Sequence, residues 1–158
     1  MIRIPAACLK AIVDAAEGAY PAECCGLLVG TSNGATSVEV SRVVASPNLA
    51  DGNGNDRFEV DPQIRFNVMK ELDQAAQSDG TQQRIIGHYH SHPNHPAQPS
   101  ETDLKMAYEP DLIWIITSVV DGQATLTTAH CVDADRTQFR QIPLQTSDWQ
   151  PYPVRTAP

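Results

Sequence analysis

The chain has 158 residues, the size of one ordinary domain, and its 41 % hydrophobic and 19 % charged residues exclude a disordered or fibrous protein. Its formal net charge is -8 with the histidines neutral. An acidic surface repels phosphate backbones, so nucleic acid is not expected as a partner. No signal peptide and no apolar run long enough to cross a bilayer is found, so we expect a cytoplasmic protein without a membrane partner. Its four cysteines are expected to be reduced and buried.

The N-terminal third predicts one helix and two strands. Apolar residues at helical spacing follow Pro5 and predict a helix over residues 5–19. The short apolar run over residues 23–30 ends at a glycine and predicts a buried strand. Alternating valines over residues 37–45 predict a second strand. The next loop, residues 48–56, is rich in Gly, Asn and Asp, and this composition predicts mobility.

The middle of the chain predicts a second helix between short strands. Residues 58–60 are a short strand candidate. Asp61 followed by proline is a typical helix start, and the apolar stripe behind it continues to Gly80. Residues 84–89 predict the next strand.

The C-terminal part predicts a hairpin inside one mixed sheet. Residues 112–119 are apolar on both faces, which predicts a central strand. The pair at 121–122 is a hairpin turn signal, and residues 124–132 should pair back across it. Residues 139–144 are one more strand candidate. This order predicts a single α+β domain over residues 1–144, followed by a Pro-rich extended tail over 145–158.

Four of the five histidines fall within eight residues, from His88 to His95. Side chains two positions apart in a strand share a face, so His90 and His92 can present their imidazoles to one point. A catalytic zinc takes three protein ligands and leaves its fourth position to water. Three prolines end the strand, and Asp103 lies in the first turn of the helix that follows, where it can face back. We therefore predict a metal site formed by His90, His92 and Asp103.

Alternatives remain for several residues of this segment. Ser-x-x-Asp before a helical run is also an N-terminal capping pattern, so Ser100 and Asp103 could simply satisfy backbone donors, although a cap leaves the two same-face histidines unexplained. His88 shares the parity of the pair, but four strand residues span ~13 Å, so we interpret it as a buried or supporting residue. His95 is expected in solvent, and His130 as an ordinary hydrogen-bonded strand residue.

Glu23 stands in a Pro-x-Glu-x-Cys-Gly-Leu-Leu setting, far upstream of a His-x-His-Pro that begins at His90 and a Ser-x-x-Asp that begins at Ser100. This combination resembles the JAMM motif of the metalloproteases in the MPN/Mov34/PAD-1 family. The resemblance covers most of the chain, with no departure at the five key positions. Residues 50–56 and the C-terminal tail are less family-like.

The resemblance implies an α+β fold with a curved mixed β-sheet flanked by helices, a cytidine-deaminase-like sandwich, and one Zn²⁺ per chain. It assigns Glu23 as the general base and Ser100 as the donor to an oxyanion or bound water. The ligands that it implies are His90, His92 and Asp103. Taken by itself, Glu23 would be interpreted as a solvated residue at a strand start, and only the family position makes it catalytic.

The function that the resemblance implies is a zinc-dependent metallopeptidase or isopeptidase. Many MPN domains have lost the ligands and only hold partners, so the complete ligand set favours an enzyme over a scaffold module. A zinc deaminase would need His-x-Glu and Pro-Cys-x-x-Cys, and the sequence contains neither.

Small single-domain members of this kind resemble peptidases of ubiquitin-like sulfur carrier proteins, which implies cleavage of an amide bond after a C-terminal Gly-Gly. We expect residues 50–55 and 94–98 to form the rims of the channel for that tail. The carrier, the pathway and the oligomeric state, a homodimer included, stay open.

Overall fold

The computed structural model describes residues 1–33, 37–52 and 56–147. Within these ranges the chain forms eight strands and three helices around one sheet. In chain order they are β1 (Ile2–Ile4), α1 (Ala6–Ala19), β2 (Cys25–Ser32), β3 (Val38–Ser46), α2 (Pro62–Asp79), β4 (Arg84–Pro93), α3 (Glu101–Met106), β5 (Ile113–Val120), β6 (Gln123–Val132), β7 (Phe139–Ile142) and β8 (Leu144–Thr146).

The sheet is mixed and strongly curved, as predicted. Its strand order is β7-β6-β5-β4-β2-β3-β1-β8. The pairs β1–β3, β1–β8 and β4–β5 are parallel, and the remaining pairs are antiparallel. The two edge strands, β7 and β8, are separated in the chain by Pro143 alone, whose carbonyl accepts from the N–H of Ile2 at 2.8 Å. The sheet must therefore curl until its edges come together.

Helices cover both faces of the sheet. On one face, Ile12 of α1 packs into the main core with side chains from six strands. On the other face, Val68 and Leu72 of α2 pack on Leu27 and Val29 of β2. Burial of such a side chain contributes about 1.5–3 kcal/mol. Side chains of β2 point alternately to the two cores, which explains why its buried residues, 25–30, are apolar on both faces.

Two of the local sequence signals correspond to observed caps and turns. The Asp61 carboxylate accepts from the N–H of Gln63, and Gly80 ends α2 in the left-handed conformation, with φ at 74°. Asp121 and Gly122 both have positive φ, 50° and 84°, and join β5 to β6 as a tight hairpin. The predicted helix and hairpin boundaries are confirmed here within one or two residues.

Other expectations need correction. Residues 58–60 do not form a strand, because only a single bridge joins Val60 to Asn48. Strand β1 was not predicted, and the candidate at 139–144 is two strands. Gln145 and Thr146, expected in the tail, belong to β8 and pair with β1. The remaining tail, residues 148–158, and loop residues 53–55 lie outside the described ranges.

The cysteines were predicted to be reduced and buried. All four are thiols, but only Cys25 is buried, and the other three are partly exposed. None of the helices in the described ranges is long and apolar enough to span a membrane.

Candidate metal centre

The predicted ligands meet where β4 ends and α3 begins. His90 and His92 are alternate residues near the end of β4, so both imidazoles lie on one face of the sheet. After three prolines the chain enters α3, with Asp103 in its first turn. This helix connects β4 to the parallel strand β5, and side chains at the carboxyl end of such a strand face the helix start. All three side chains are buried.

The three donor groups form a small triangle. The Nε2 atoms of His90 and His92 are 3.0 Å apart. Asp103 Oδ1 lies 3.3 Å from Nε2 of His90, and Oδ2 lies 3.3 Å from Nε2 of His92. Ligand atoms at the usual zinc distances of about 2.0–2.1 Å occupy tetrahedral corners roughly 3.3 Å apart. The spacing therefore fits one tetrahedral metal ion, and this group could hold one.

A hydrogen bond to the backbone fixes the orientation of the His92 ring. Its Nδ1 lies 2.9 Å from the carbonyl oxygen of Pro96, so Nδ1 carries the proton and Nε2 keeps its lone pair. The loop that provides this carbonyl is fixed from β5 and β6. Ser118 donates to the carbonyl of His95 at 2.7 Å, and Thr128 donates to that of Ala97 at 2.5 Å.

Asp103 is both a member of the triangle and part of a helix cap. Its Oδ2 accepts from the N–H of Ser100 at 2.7 Å, and the Ser100 hydroxyl accepts from the N–H of Asp103 at 3.0 Å. This is the capping box that was the alternative to a metal site in the sequence analysis. Asp103 therefore caps α3 and also lies in the triangle. Burial would raise the pKa of Asp103, but the adjacent imidazoles of His90 and His92 outweigh it and hold the pKa well below its usual range.

Glu23 reaches the site through strand pairing. Contrary to the prediction, Glu23 does not begin the strand. It lies two residues before β2. Cys25 pairs with His90, and hydrogen bonds join Cys24 to Ser91, so the continued register places Glu23 across from His92. Its side chain is buried, and Oε2 has no hydrogen-bond partner among the described residues. Burial raises the pKa of Glu23 to about 8, against the lowering effect of the His92 charge.

Aromatic rings cover the inner side of the triangle. Phe58 stacks on the His90 ring, with centroids 4.3 Å apart and an interplanar angle of 17°. Trp114 meets His90 edge-on at 5.9 Å and His88 at 4.1 Å. His88 is therefore a partly buried strand residue packed between Phe58 and Trp114, consistent with its interpretation. Burial lowers the pKa of His88 to about 3, so its ring is neutral.

A groove of about 210 Å³ runs beside the triangle. Its walls come from the loop after β3 and from α3. The lining residues are Ala50, Asp51, Arg57, Phe58, Glu59, Thr102, Asp103 and Met106. Ala50 and Asp51 belong to the first predicted rim, residues 50–55, and line the groove. No residue of the second predicted rim, 94–98, lines it. A larger cavity of about 630 Å³, beside Arg84 at the other end of β4, contains none of the predicted site residues.

The two remaining histidines lie where they were expected. His95 is exposed in the loop after β4. His130 is buried in β6, and its Nε2 lies 2.9 Å from the Thr128 hydroxyl. Sequence reasoning missed Phe58 as part of the site, and a single sequence offers no local signal that would bring it to His90.

The sequence matches a family model and a known protein over most of its length. Residues 5–132 match the family model for prokaryotic homologs of the JAB domain. The chain is 33 % identical over 132 residues to a protein of Haloferax volcanii named desampylase, and the match covers 82 % of this chain and 81 % of the relative.

Three solved structures share the fold. A Desulfitobacterium hafniense protein aligns with a TM-score of 0.76 at 25 % identity, over 92 % of each chain. A Salinibacter ruber protein aligns with a TM-score of 0.64 at 32 % identity, over 95 % of this chain and 94 % of its own. A JAB1/MPN domain protein from Archaeoglobus fulgidus aligns with a TM-score of 0.54 at 18 % identity, over 92 % and 96 %.

Proposed function

The chain belongs to the family of prokaryotic JAB-domain homologs, and from this premise we propose that it is a zinc-dependent isopeptidase. Its substrate in this proposal is a ubiquitin-like sulfur carrier protein, cleaved at the amide bond after the C-terminal Gly-Gly. The similarity to a desampylase supports a more general function, in which the chain is a JAB-type hydrolase of conjugates of a ubiquitin-like protein. The observation that carries the zinc assignment is the buried triangle of His90, His92 and Asp103.

The donor set suits zinc by its chemistry as well as by its spacing. Imidazole nitrogen and carboxylate oxygen are both zinc ligands, and three protein ligands are typical of a catalytic zinc site. When bound, zinc acidifies a water molecule and polarises a carbonyl group. The residues around it keep the ligands in place: Pro96 fixes the tautomer of His92, and Ser100 fixes the carboxylate of Asp103 through the capping box.

Glu23 is the proposed general base. A base must lie next to the water that it deprotonates without being occupied by other hydrogen bonds, and the buried Oε2 of Glu23 has none within the described chain. The pKa of about 8 applies to the chain without a cation. A divalent cation beside the carboxylate would lower that pKa and favour the ionised form. Glu23 would then hold the proton until it passes to the leaving amine.

Ser100 is the proposed donor to the carbonyl oxygen of the scissile bond. Its hydroxyl oxygen accepts from the N–H of Asp103, and the hydroxyl proton has no acceptor among the residues that the structure describes. Ser100 is exposed, so substrate can reach this proton. A hydrogen bond that strengthens as negative charge develops on the carbonyl oxygen stabilises the transition state.

The groove beside Asp103 is the proposed site for the tail of the carrier. Its volume of about 210 Å³ is small, and glycine, which lacks a Cβ atom, allows a backbone to approach a recessed site closely. Backbone hydrogen bonds can hold an extended tail without recognising its side chains.

The experiment that tests this function combines metal analysis with hydrolysis. The purified protein is analysed for zinc and then incubated with a carrier protein that bears one amino acid attached after Gly-Gly. Zinc at about one per chain together with chelator-sensitive release of that amino acid is expected. Metal-free protein with undiminished activity would contradict the proposal.

A further inference from the structure

Asn48, in the loop after β3, uses its whole carboxamide to join backbone segments around the metal centre. Its Oδ1 accepts from the N–H groups of Ala50 at 3.0 Å and Glu59 at 2.9 Å. Its Nδ2 donates to the carbonyl oxygens of Arg57 at 3.0 Å and Glu23 at 3.3 Å. A primary amide has two donor and two acceptor positions, so all four are used. The reverse orientation would turn the NH₂ group toward two N–H groups and is excluded.

One side of this network holds the wall of the groove. The Asn48 side chain binds the backbone on both sides of Phe58, and Asn48 also forms the isolated bridge to Val60. The adjacent N–H of Leu49 donates to the carbonyl of Glu59 at 2.9 Å. This short segment has no regular strand to fix it, yet its Phe58 ring stacks on His90. Asn48 therefore fixes the residue that covers a proposed ligand.

The other side of the network holds Glu23. This residue lies outside β2, and its buried Oε2 finds no partner within the described ranges. The direction of the carboxylate therefore depends on its backbone. That backbone is held by the pairing of Cys24 with Ser91 on one side and by Nδ2 of Asn48 on the other. A shift of about 1 Å in a catalytic group can lower the rate by about 100-fold.

We propose that Asn48 is a positioning residue for Glu23: one side chain fixes the proposed base relative to the groove wall and to Phe58. The inference rests on the proposed function above. It requires a carboxamide, because the second oxygen of an aspartate would face two carbonyl oxygens where Nδ2 now donates. The network thus explains why an amide, rather than an acid of the same shape, stands at this position.

A double-mutant cycle tests whether Asn48 acts through Glu23. Asn48→Asp and Asn48→Ala should each lower kcat by about 10- to 100-fold and leave zinc per chain unchanged. In the Glu23→Gln background the same changes should lower kcat by less than about 2-fold, because a residue that acts through Glu23 has nothing left to position. Asn67→Asp is the matched control. Asn67 is exposed on α2, and among the described residues its side chain accepts from Gln63 alone, so its substitution should change nothing.

A second measurement needs no activity. The amides of Ala50 and Glu59 donate to Asn48, so in Asn48→Ala they should exchange with solvent at least about 10-fold faster, whereas in Asn67→Ala they should not. Unchanged exchange, or an equal fold-loss of kcat with and without Glu23, would overturn the inference. Wild-type protein without zinc and without hydrolysis would count against the proposed function instead, and the exchange rates would still decide whether Asn48 holds this segment.

Discussion

His90 and His92 bring their Nε2 atoms to within 3.0 Å of each other, and each of these atoms lies 3.3 Å from an oxygen of the Asp103 carboxylate. Two imidazole lone pairs that face each other at this distance repel one another unless a proton or a cation lies between them. A buried position increases that repulsion, because water cannot screen it. A proton or a bound cation between the two rings would remove this repulsion, and the three side chains could hold a metal ion.

Bound zinc should be found at about one equivalent per chain, since the site provides three ligands. Removal by a chelator should abolish hydrolysis, and stoichiometric zinc should restore it. A ligand that binds the folded chain but not the unfolded chain stabilises the fold, so zinc added to the metal-free protein should raise Tm. Elemental analysis and thermal unfolding give these results without a substrate. A Tm that does not respond to zinc would count against the site.

His92→Ala should lose zinc, whereas His95→Ala should retain it. The two residues lie three positions apart, but His92 is buried in the triangle and His95 is exposed in the loop. Loss of one of three ligands leaves a site that cannot hold the metal tightly, while an exposed imidazole contributes nothing to it. The measurement is zinc content after dialysis, with His95→Ala as the matched control. The reverse pattern would show that the ligand assignment is wrong.

Glu23→Gln should keep zinc and lower turnover by on the order of 10²–10⁴, the usual contribution of general acid–base catalysis. Glutamine has the same size but cannot accept the proton. The exposed Glu101 of α3 provides the control, because Glu101→Gln makes the same chemical change beside the site without touching the triangle. Zinc loss in Glu23→Gln would make Glu23 a ligand or a support, and unchanged turnover would remove it from the mechanism.

These residues also show what a sequence reveals. The His90/His92 pair and the helix position of Asp103 follow from strand parity and a helix start, which are local properties, and the structure brings all three together. Glu23 depends on the continuation of the β2–β4 pairing beyond the start of β2, where Cys24 meets Ser91 across 67 positions. The residues near Glu23 in the sequence do not indicate this register, so only the family resemblance identified Glu23 as a site residue.

The strands and loop segments that the sequence did not predict are likewise fixed by contacts between residues that lie far apart in the chain. Strands β1 and β8 have three residues each; β1 pairs with both β3 and β8, and its Ile2 and Ile4 are buried in the main core. Residues 57–60 and Asn48 are fixed by hydrogen bonds between segments that no periodicity connects. Elements of this length carry too few residues for an alternating pattern to stand out.

Ser100→Ala should reduce both turnover and stability. It removes the proposed oxyanion donor, which should lower turnover by on the order of 10², and it removes the α3 cap, which should destabilise the chain by about 1 kcal/mol. Ser100→Thr retains the hydroxyl and the cap and should restore both. Turnover and Tm measured on the two variants separate these effects. If Ser100→Ala lost stability but kept full turnover, the hydroxyl would be a cap alone.

Cleavage should require glycine on the carrier side of the scissile bond. The groove beside Asp103 is small and is lined by Phe58 and by Met106 of α3, among others. A tail that ends in two glycines can approach the triangle because it carries no Cβ atoms, whereas each methyl group of Ala-Ala must be accommodated against these walls.

The assay is mass spectrometry of two folded carriers that differ only in Gly-Gly or Ala-Ala before an attached amino acid. We expect release from the Gly-Gly carrier and at least about a 10-fold lower kcat/KM for the Ala-Ala carrier, which corresponds to a loss of about 1.4 kcal/mol in transition-state stabilisation. An unstructured peptide with the same last residues should be cleaved more slowly than the folded carrier, because it loses its conformational entropy when it enters the groove. Equal cleavage of both carriers, or cleavage of the peptide alone, would identify a general peptidase instead.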